Sequence, residues 1–156
     1  MKFVEESKIL LLKNILKYRA TVFNAEMDEI IESMIKFAQS KDNVKATRVL
    51  TITKGLNFES GKQKIDMEFM LELNQPTKGN NIYCFISKYE LSNCVYSKYR
   101  GNPQNASMAT KEVHEYIKKN ELNPVGPVHQ VMVIKNKSKN EQNRNIVSLE
   151  VFVQVS

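Results

Sequence analysis

Histidine, cysteine and tryptophan are nearly missing from this chain: 2, 2 and 0 in 156 residues. The histidines, His114 and His129, stand in no Cys/His/Asp spacing of a metal site, so no metal is expected. Cys84 and Cys94 are too few for a disulfide framework and read as reduced, half-buried thiols. No stretch approaches the roughly 20 apolar residues that span a bilayer. The opening "MKFVEESKILLLKNILKYRA" offers only "ILLL", soon broken by Lys13 and Lys17, and has no small-residue cleavage site. The expected location is cytoplasmic, with no membrane partner. Nucleophile elbow, phosphate loop and dinucleotide fingerprint are absent, and the His114–Glu115 pair alone is no zincin motif. No catalytic residue and no cofactor are therefore assigned. With no helix-turn-helix segment before residues 1–10, direct sequence-specific DNA binding is not expected of this polypeptide.

What is present fits one ordinary domain over residues 1–156 with a real core: hydrophobic residues make up 42% and charged residues 26%. The net charge of +6 and pI near 9.2 raise a nucleic-acid reading. The lysines are scattered and often stand beside Glu or Asp, as on a solvated surface, whereas a nucleic-acid footprint concentrates charge on one element.

The strongest organisational signal is an approximate internal repeat. "QKIDMEFMLEL" overlays "RNIVSLEVFVQV" so that Ile65 meets Val147, Met67 meets Leu149, Phe69 meets Val151 and Glu68 meets Glu150. Each copy follows another extended stretch, "TRVLTITK" (47–54) and "PVHQVMVIKN" (127–136). The polar links "GLNFESGKQ" and "KNKSKNEQNRN" read as hairpin tips, the second as a mobile surface loop. A helix precedes each hairpin. The first has Asn24 as a cap, then Glu26, Asp28 and Glu29 at its positive end, and an apolar stripe of Met27, Ile30, Ile31, Met34, Ile35, Phe37 and Ala38. The second starts at Asn102–Pro103, carries Ala109, Val113, Tyr116 and Ile117, and stops before "NELNPVGP". Upstream of each helix lies an extended segment, "ILKYRATVF" (15–23) or "NCVYSKYRG" (93–101), with further strand material in "ESKILLL" and "NIYCFISKYEL". The pattern predicts an α+β fold: duplicated βαββ units (about 8–74 and about 81–156) forming an antiparallel sheet with two helices on one face. Such a pseudo-twofold pattern predicts a ligand cleft between the repeats.

The closing strand "NIVSLEVFVQVS" carries a carboxylate among apolar residues. Alternation puts Val147, Leu149, Val151, Val153 and Val155 on one face, with Ser148, Glu150, Phe152 and Gln154 on the other. The second face looks either at water or at a ligand.

"LSNCVYSKYRG" (91–101), "YIKKNELNPVGP" (116–127) and the terminal "LEVFVQV" (149–155) resemble the GyrI-like small-molecule-binding superfamily. That superfamily includes stand-alone proteins and the effector-binding domains of MerR-type and AraC-type multidrug regulators. The resemblance covers residues 81–156 with motif detail, and 1–80 through the repeat. It implies a twice-repeated βαββ fold with a cleft for bulky, aromatic, often cationic compounds; some related proteins hydrolyse strained cyclopropanes. The Gly-Pro-x-x-Glu-x-Tyr arrangement of the family reads here as Gly126, Pro127, Val128, His129, Gln130, Val131, Met132. Gln130 replaces the acid and Met132 the tyrosine, which speaks against hydrolysis and against strong cation selectivity. Glu150 and Phe152 are kept, and Gln154 stands where a proline is usual.

The ligand-binding set drawn from these readings is Glu150, Phe152, Gln130, Met132, Tyr96, Tyr116 and Glu68. Aromatic faces supply area and cation–π attraction, methionines adapt to shape, and a carboxylate in a partly dry site supplies charge selectivity. The plainer alternatives are lysine-paired, water-facing Glu68 and Glu150, and core positions for Tyr116 and Met132. The expected function is non-catalytic binding of small hydrophobic or aromatic, cationic molecules. The alternatives are hydrolysis of strained electrophiles through Glu150, or a protein-interaction module such as a gyrase modulator.

Overall fold

The structure, a computed structural model, describes residues 4–134 and 146–156. The polar link expected over 135–145 lies outside the described residues. The architecture is α+β, with six strands in antiparallel pairings and two helices. In chain order the elements are β1 (Val4–Val22), α1 (Met27–Gln39), β2 (Ala46–Glu59), β3 (Lys62–Leu73), β4 (Cys84–Gly101), α2 (Ser107–Lys119), β5 (His129–Val133) and β6 (Val147–Gln154). "ESKILLL" and most of "NIYCFISKYEL" are not separate strands; they are the first halves of β1 and β4. The chain divides into two compact units, Leu12–Tyr89 and Met1–Leu11 with Glu90–Ser156.

In the Leu12–Tyr89 unit, β3 pairs with β1 on one side and β2 on the other. The link "GLNFESGKQ", expected as a polar loop, is paired almost throughout, since Glu59 meets Lys62 and only Ser60 and Gly61 turn the chain. Both have positive φ, 53° and 77°, as a two-residue type I′ turn requires. Helix α1 buries Ile31, Met34 and Ala38, three positions of its predicted stripe. Leu12, Ile15, Leu16, Val49, Leu50, Phe69 and Leu71 are also buried, and burial of each such side chain contributes about 1.5–3 kcal/mol.

In the other unit, β6 lies between β4 and β5. Its Leu149, Val151 and Val153, with Val155 just beyond it, pack with Val95 of β4 against Ala109, Val113 and Ile117 of α2. The face that alternation assigned to the core is thus the helix-covered one. Before α2, the Asn102 carboxamide oxygen accepts the Gln104 N–H at 2.9 Å and Pro103 takes the first position, where a missing N–H costs nothing. After α2 the Glu121 N–H donates to the Lys118 carbonyl at 3.2 Å and the Leu122 N–H to the Ile117 carbonyl at 3.0 Å. Those two bonds make a Schellman closure, with Glu121 at φ 54° and Leu122 packed on the core.

Candidate functional site

Paired residues in an antiparallel ladder point to the same side of the sheet. Tyr96 is opposite Phe152, Lys98 opposite Glu150, His129 opposite Phe152, and Val131 opposite Glu150. These six side chains share the face of β6 turned away from α2. Tyr96 Oη donates to Glu150 Oε2 at 2.6 Å. The Tyr96 and Phe152 rings lie 4.9 Å apart at 49°, within the range of favourable aromatic pairs. Tyr96 and Phe152 are buried and Glu150 is half-buried. Burial, then the hydrogen bond from its own hydroxyl to Glu150, then the nearby carboxylate charges of Glu150 and Glu5 push the Tyr96 phenol well above its ordinary pKa. The phenol therefore stays a neutral donor to Glu150. Lys8 Nζ sits 5.1 Å from the centroid of the Tyr96 ring and 3.7 Å from Glu5. His129 is buried, with Nδ1 3.0 Å from the Pro127 carbonyl oxygen.

The structure therefore brings together Glu150, Phe152 and Tyr96 from the set drawn from the sequence. Gln130 and Met132 do not join them. They stand opposite Val151 and Leu149 and so face α2, where Gln130 Nε2 donates to Thr110 Oγ1 at 3.3 Å and Met132 packs on the hydrophobic core. One residue of parity separates the expected and observed faces, and His129 and Val131 stand where Gln130 and Met132 were expected. Ile52 is opposite Glu68 as Val131 is opposite Glu150. Tyr116 lies on α2 beside the core, donates its hydroxyl to the Glu6 carboxylate, and belongs to neither strand of the Glu150 cluster.

Glu68 belongs to the Leu12–Tyr89 unit. It is buried, 3.7 Å from Lys17 Nζ. Its neighbours along β3 are also matched by cations. Asp66 receives Arg19 Nη2 at 2.8 Å, and Glu72 receives Arg48 Nε at 2.6 Å and Nη2 at 2.8 Å. These carboxylates are matched by cations inside the unit; Glu150 accepts from the Tyr96 phenol and has Lys98 opposite it across the ladder. Among the described residues no group of three His, Cys, Asp or Glu side chains is arranged to hold a metal.

No family model and no curated protein matches the sequence. Solved structures do. The C-terminal domain of EcmrR superposes with a TM-score of 0.71 over 100% of this chain and 98% of that one, at 13% identity. In the EcmrR–DNA transcription complex the chain spans only 57% of the EcmrR length. An uncharacterised conserved protein from Listeria innocua matches with a TM-score of 0.59 over 97% and 92% of the two chains, and a hydrolase from the same organism with 0.57 over 99% and 92%, each at 12% identity. At such identities it is the fold that is shared. The order of strands and helices, and their likeness to the EcmrR C-terminal domain, give this chain the GyrI-like fold.

Proposed function

We propose that the chain binds small hydrophobic or aromatic cations without transforming them, using the Glu150 face of β6 with Tyr96 and Phe152. The observation that carries this reading is the half-buried Glu150 carboxylate hydrogen-bonded to Tyr96 at 2.6 Å beside the Phe152 ring. An ionised carboxylate has about four acceptor sites. A neutral phenol occupies one, fixes the orientation and leaves the charge for a ligand. Tyr96 and Phe152 supply π faces at which a cation gains about 0.5–2 kcal/mol. The position of Lys8 over Tyr96 fits this preference, since an ammonium group from the chain itself lies at that ring. Equivalent registers support a duplicated βαββ unit: Glu68 lies between Arg19 and Ile52, and Glu150 between Lys98 and Val131. A cytoplasmic setting belongs to the same proposal.

The test is thermal unfolding with 9-aminoacridine, a planar cation at neutral pH, against neutral anthracene derivatives. Stabilisation grows with the logarithm of ligand over Kd, so a rise in Tm at micromolar cation, diminished in Glu150→Gln, is expected. Equal behaviour of the variant and the parent chain would remove Glu150 from the site.

The alternative is hydrolysis of a strained electrophile, favoured by one feature: a carboxylate and a phenol 2.6 Å apart can act as base and polarising donor. Product formation that disappears in Glu150→Gln would establish it. Intact substrate after prolonged incubation with concentrated protein leaves binding alone.

A further inference from the structure

The Leu12–Tyr89 unit contains a concavity that shares no residue with the Glu150 face. It measures about 330 Å³ and is lined by Tyr18 of β1, Glu29, Ile30 and Ser33 of α1, and Ile82 and Tyr83 of the segment leading into β4. Its aromatic wall is braced. The Tyr18 and Tyr83 rings meet edge to face at 5.6 Å and 71°, Tyr18 leans on Phe69 at 6.4 Å, and Tyr83 on Phe37 at 5.1 Å.

The segment that carries Tyr83 is tied down as firmly. The Asn80 side-chain oxygen accepts the N–H groups of Ile82 at 2.8 Å and Tyr83 at 2.7 Å, and the Asn80 N–H donates to the Tyr83 carbonyl at 2.9 Å. Gly79 makes this clasp feasible, because a β-carbon there would stand 2.4 Å from the Tyr83 carbonyl oxygen. Ile82 is nevertheless 57% exposed. A closely fastened segment thus presents an uncovered apolar residue at the rim.

Glu29 is the one acidic or basic side chain in the lining. The start of α1 around it is acidic, with Glu26, Asp28 and Glu32 nearby in sequence. Burial, and after it the nearby Tyr18 hydroxyl, raise the Tyr83 phenol above its ordinary pKa, so the Tyr83 hydroxyl enters as a neutral group. Two π systems, two isoleucine flanks, a serine hydroxyl and one carboxylate match a cation with an apolar body and disfavour an anion. We propose that this concavity is a binding site for small organic cations, an alkyl- or arylammonium of one or two rings, separate from the Glu150 face.

The test uses 2-phenylethylammonium and its neutral analogue 2-phenylethanol, titrated into protein carrying carbon-13 at the isoleucine δ1 methyls. The Ile30 and Ile82 resonances are expected to move with the ammonium probe and to give an affinity at least about threefold above that of the alcohol. Glu29→Gln, at an exposed helix position, should remove that preference while leaving the alcohol unchanged, and Glu150→Gln should leave both titrations as they were. Unmoved Ile30 and Ile82 resonances at about 10 mM probe, far above the range of a specific site, would overturn the proposal. So would equal affinity for the alcohol, or loss of the response in Glu150→Gln but not in Glu29→Gln. Because the two variants report separately, failure here leaves the reading of the Glu150 face untouched, and the reverse.

Discussion

Tyr96 is legible in the sequence only as an aromatic residue before a glycine turn; its partner becomes visible once β4 and β6 are in register. Glu150 and Phe152 were readable earlier, because alternation alone sets them opposite the valine face. Gln130 and Met132 were misplaced because parity in a strand of five residues depends on where pairing begins, and no local residue fixes that. Lys8 gives the first prediction. If a cationic ligand uses the Tyr96 face, Lys8→Met removes a resident competitor, and calorimetry should show affinity for 9-aminoacridine rising about two- to fivefold. Gly101 gives the second. A β-carbon there would stand 2.7 Å from Tyr99 Oη, and that hydroxyl donates to the Asn102 carbonyl at 2.8 Å just ahead of α2. Gly101→Ala should therefore cost about 1–3 kcal/mol in urea unfolding, and only the part due to the Tyr99 contact should be recovered when Tyr99 is alanine as well, since the φ of 157° strains any side chain there.

At the scale of elements, both helices were evident from their apolar stripes and the start of α2 from Asn102–Pro103; Asn24, expected as the cap of the first helix, instead opens a 3-10 turn ahead of α1, where the Glu26 carboxylate accepts the Phe23 N–H at 2.8 Å. The end of α2 was evident too, since the stop expected before "NELNPVGP" falls at Lys119; what the sequence hid is the Schellman closure there, which favours glycine at the left-handed position and here has Glu121. Glu121→Gly should stabilise the protein by about 0.5–1 kcal/mol, seen as a higher urea midpoint with unchanged slope. The ion pairs of β3 were invisible in sequence because Arg48 and Glu72 are 24 positions apart. Burial would raise the Glu72 pKa, but Arg48, Thr47 and the Lys13 N–H outweigh it and hold the carboxyl below its ordinary value. A carboxyl whose folded pKa is depressed contributes stability that is complete above the ordinary pKa and fades as pH falls through the folded one. Stability measured from about pH 6 down to about pH 3 should therefore fall less steeply in Glu72→Gln than in the parent chain.

For the molecule as a whole, the two thiols offer a probe in each unit. Cys84 is exposed and Cys94 buried, and neither is in a disulfide. Burial pushes the Cys94 thiol up to about 11, so at neutral pH it is both shielded and protonated. A thiol reagent should modify one cysteine quickly in the native protein and the second only with unfolding; two fast thiols would contradict the packing of β4. No helix among the described residues is long and apolar enough to cross a membrane.

The sequence by itself determined the α+β class, the two helices, both faces of β6 and the resemblance to GyrI-like proteins, because periods of 2.0 and 3.6 residues are local properties that composition writes directly into the chain. Tertiary structure alone decided that Tyr96 reaches Glu150, that His129 and Val131 take the face expected of Gln130 and Met132, and that Tyr18 and Tyr83 meet beside α1. Those outcomes depend on strand register and on contacts between residues 54 and 65 positions apart, and such pairings are set by the packing of whole elements rather than by any neighbour in sequence.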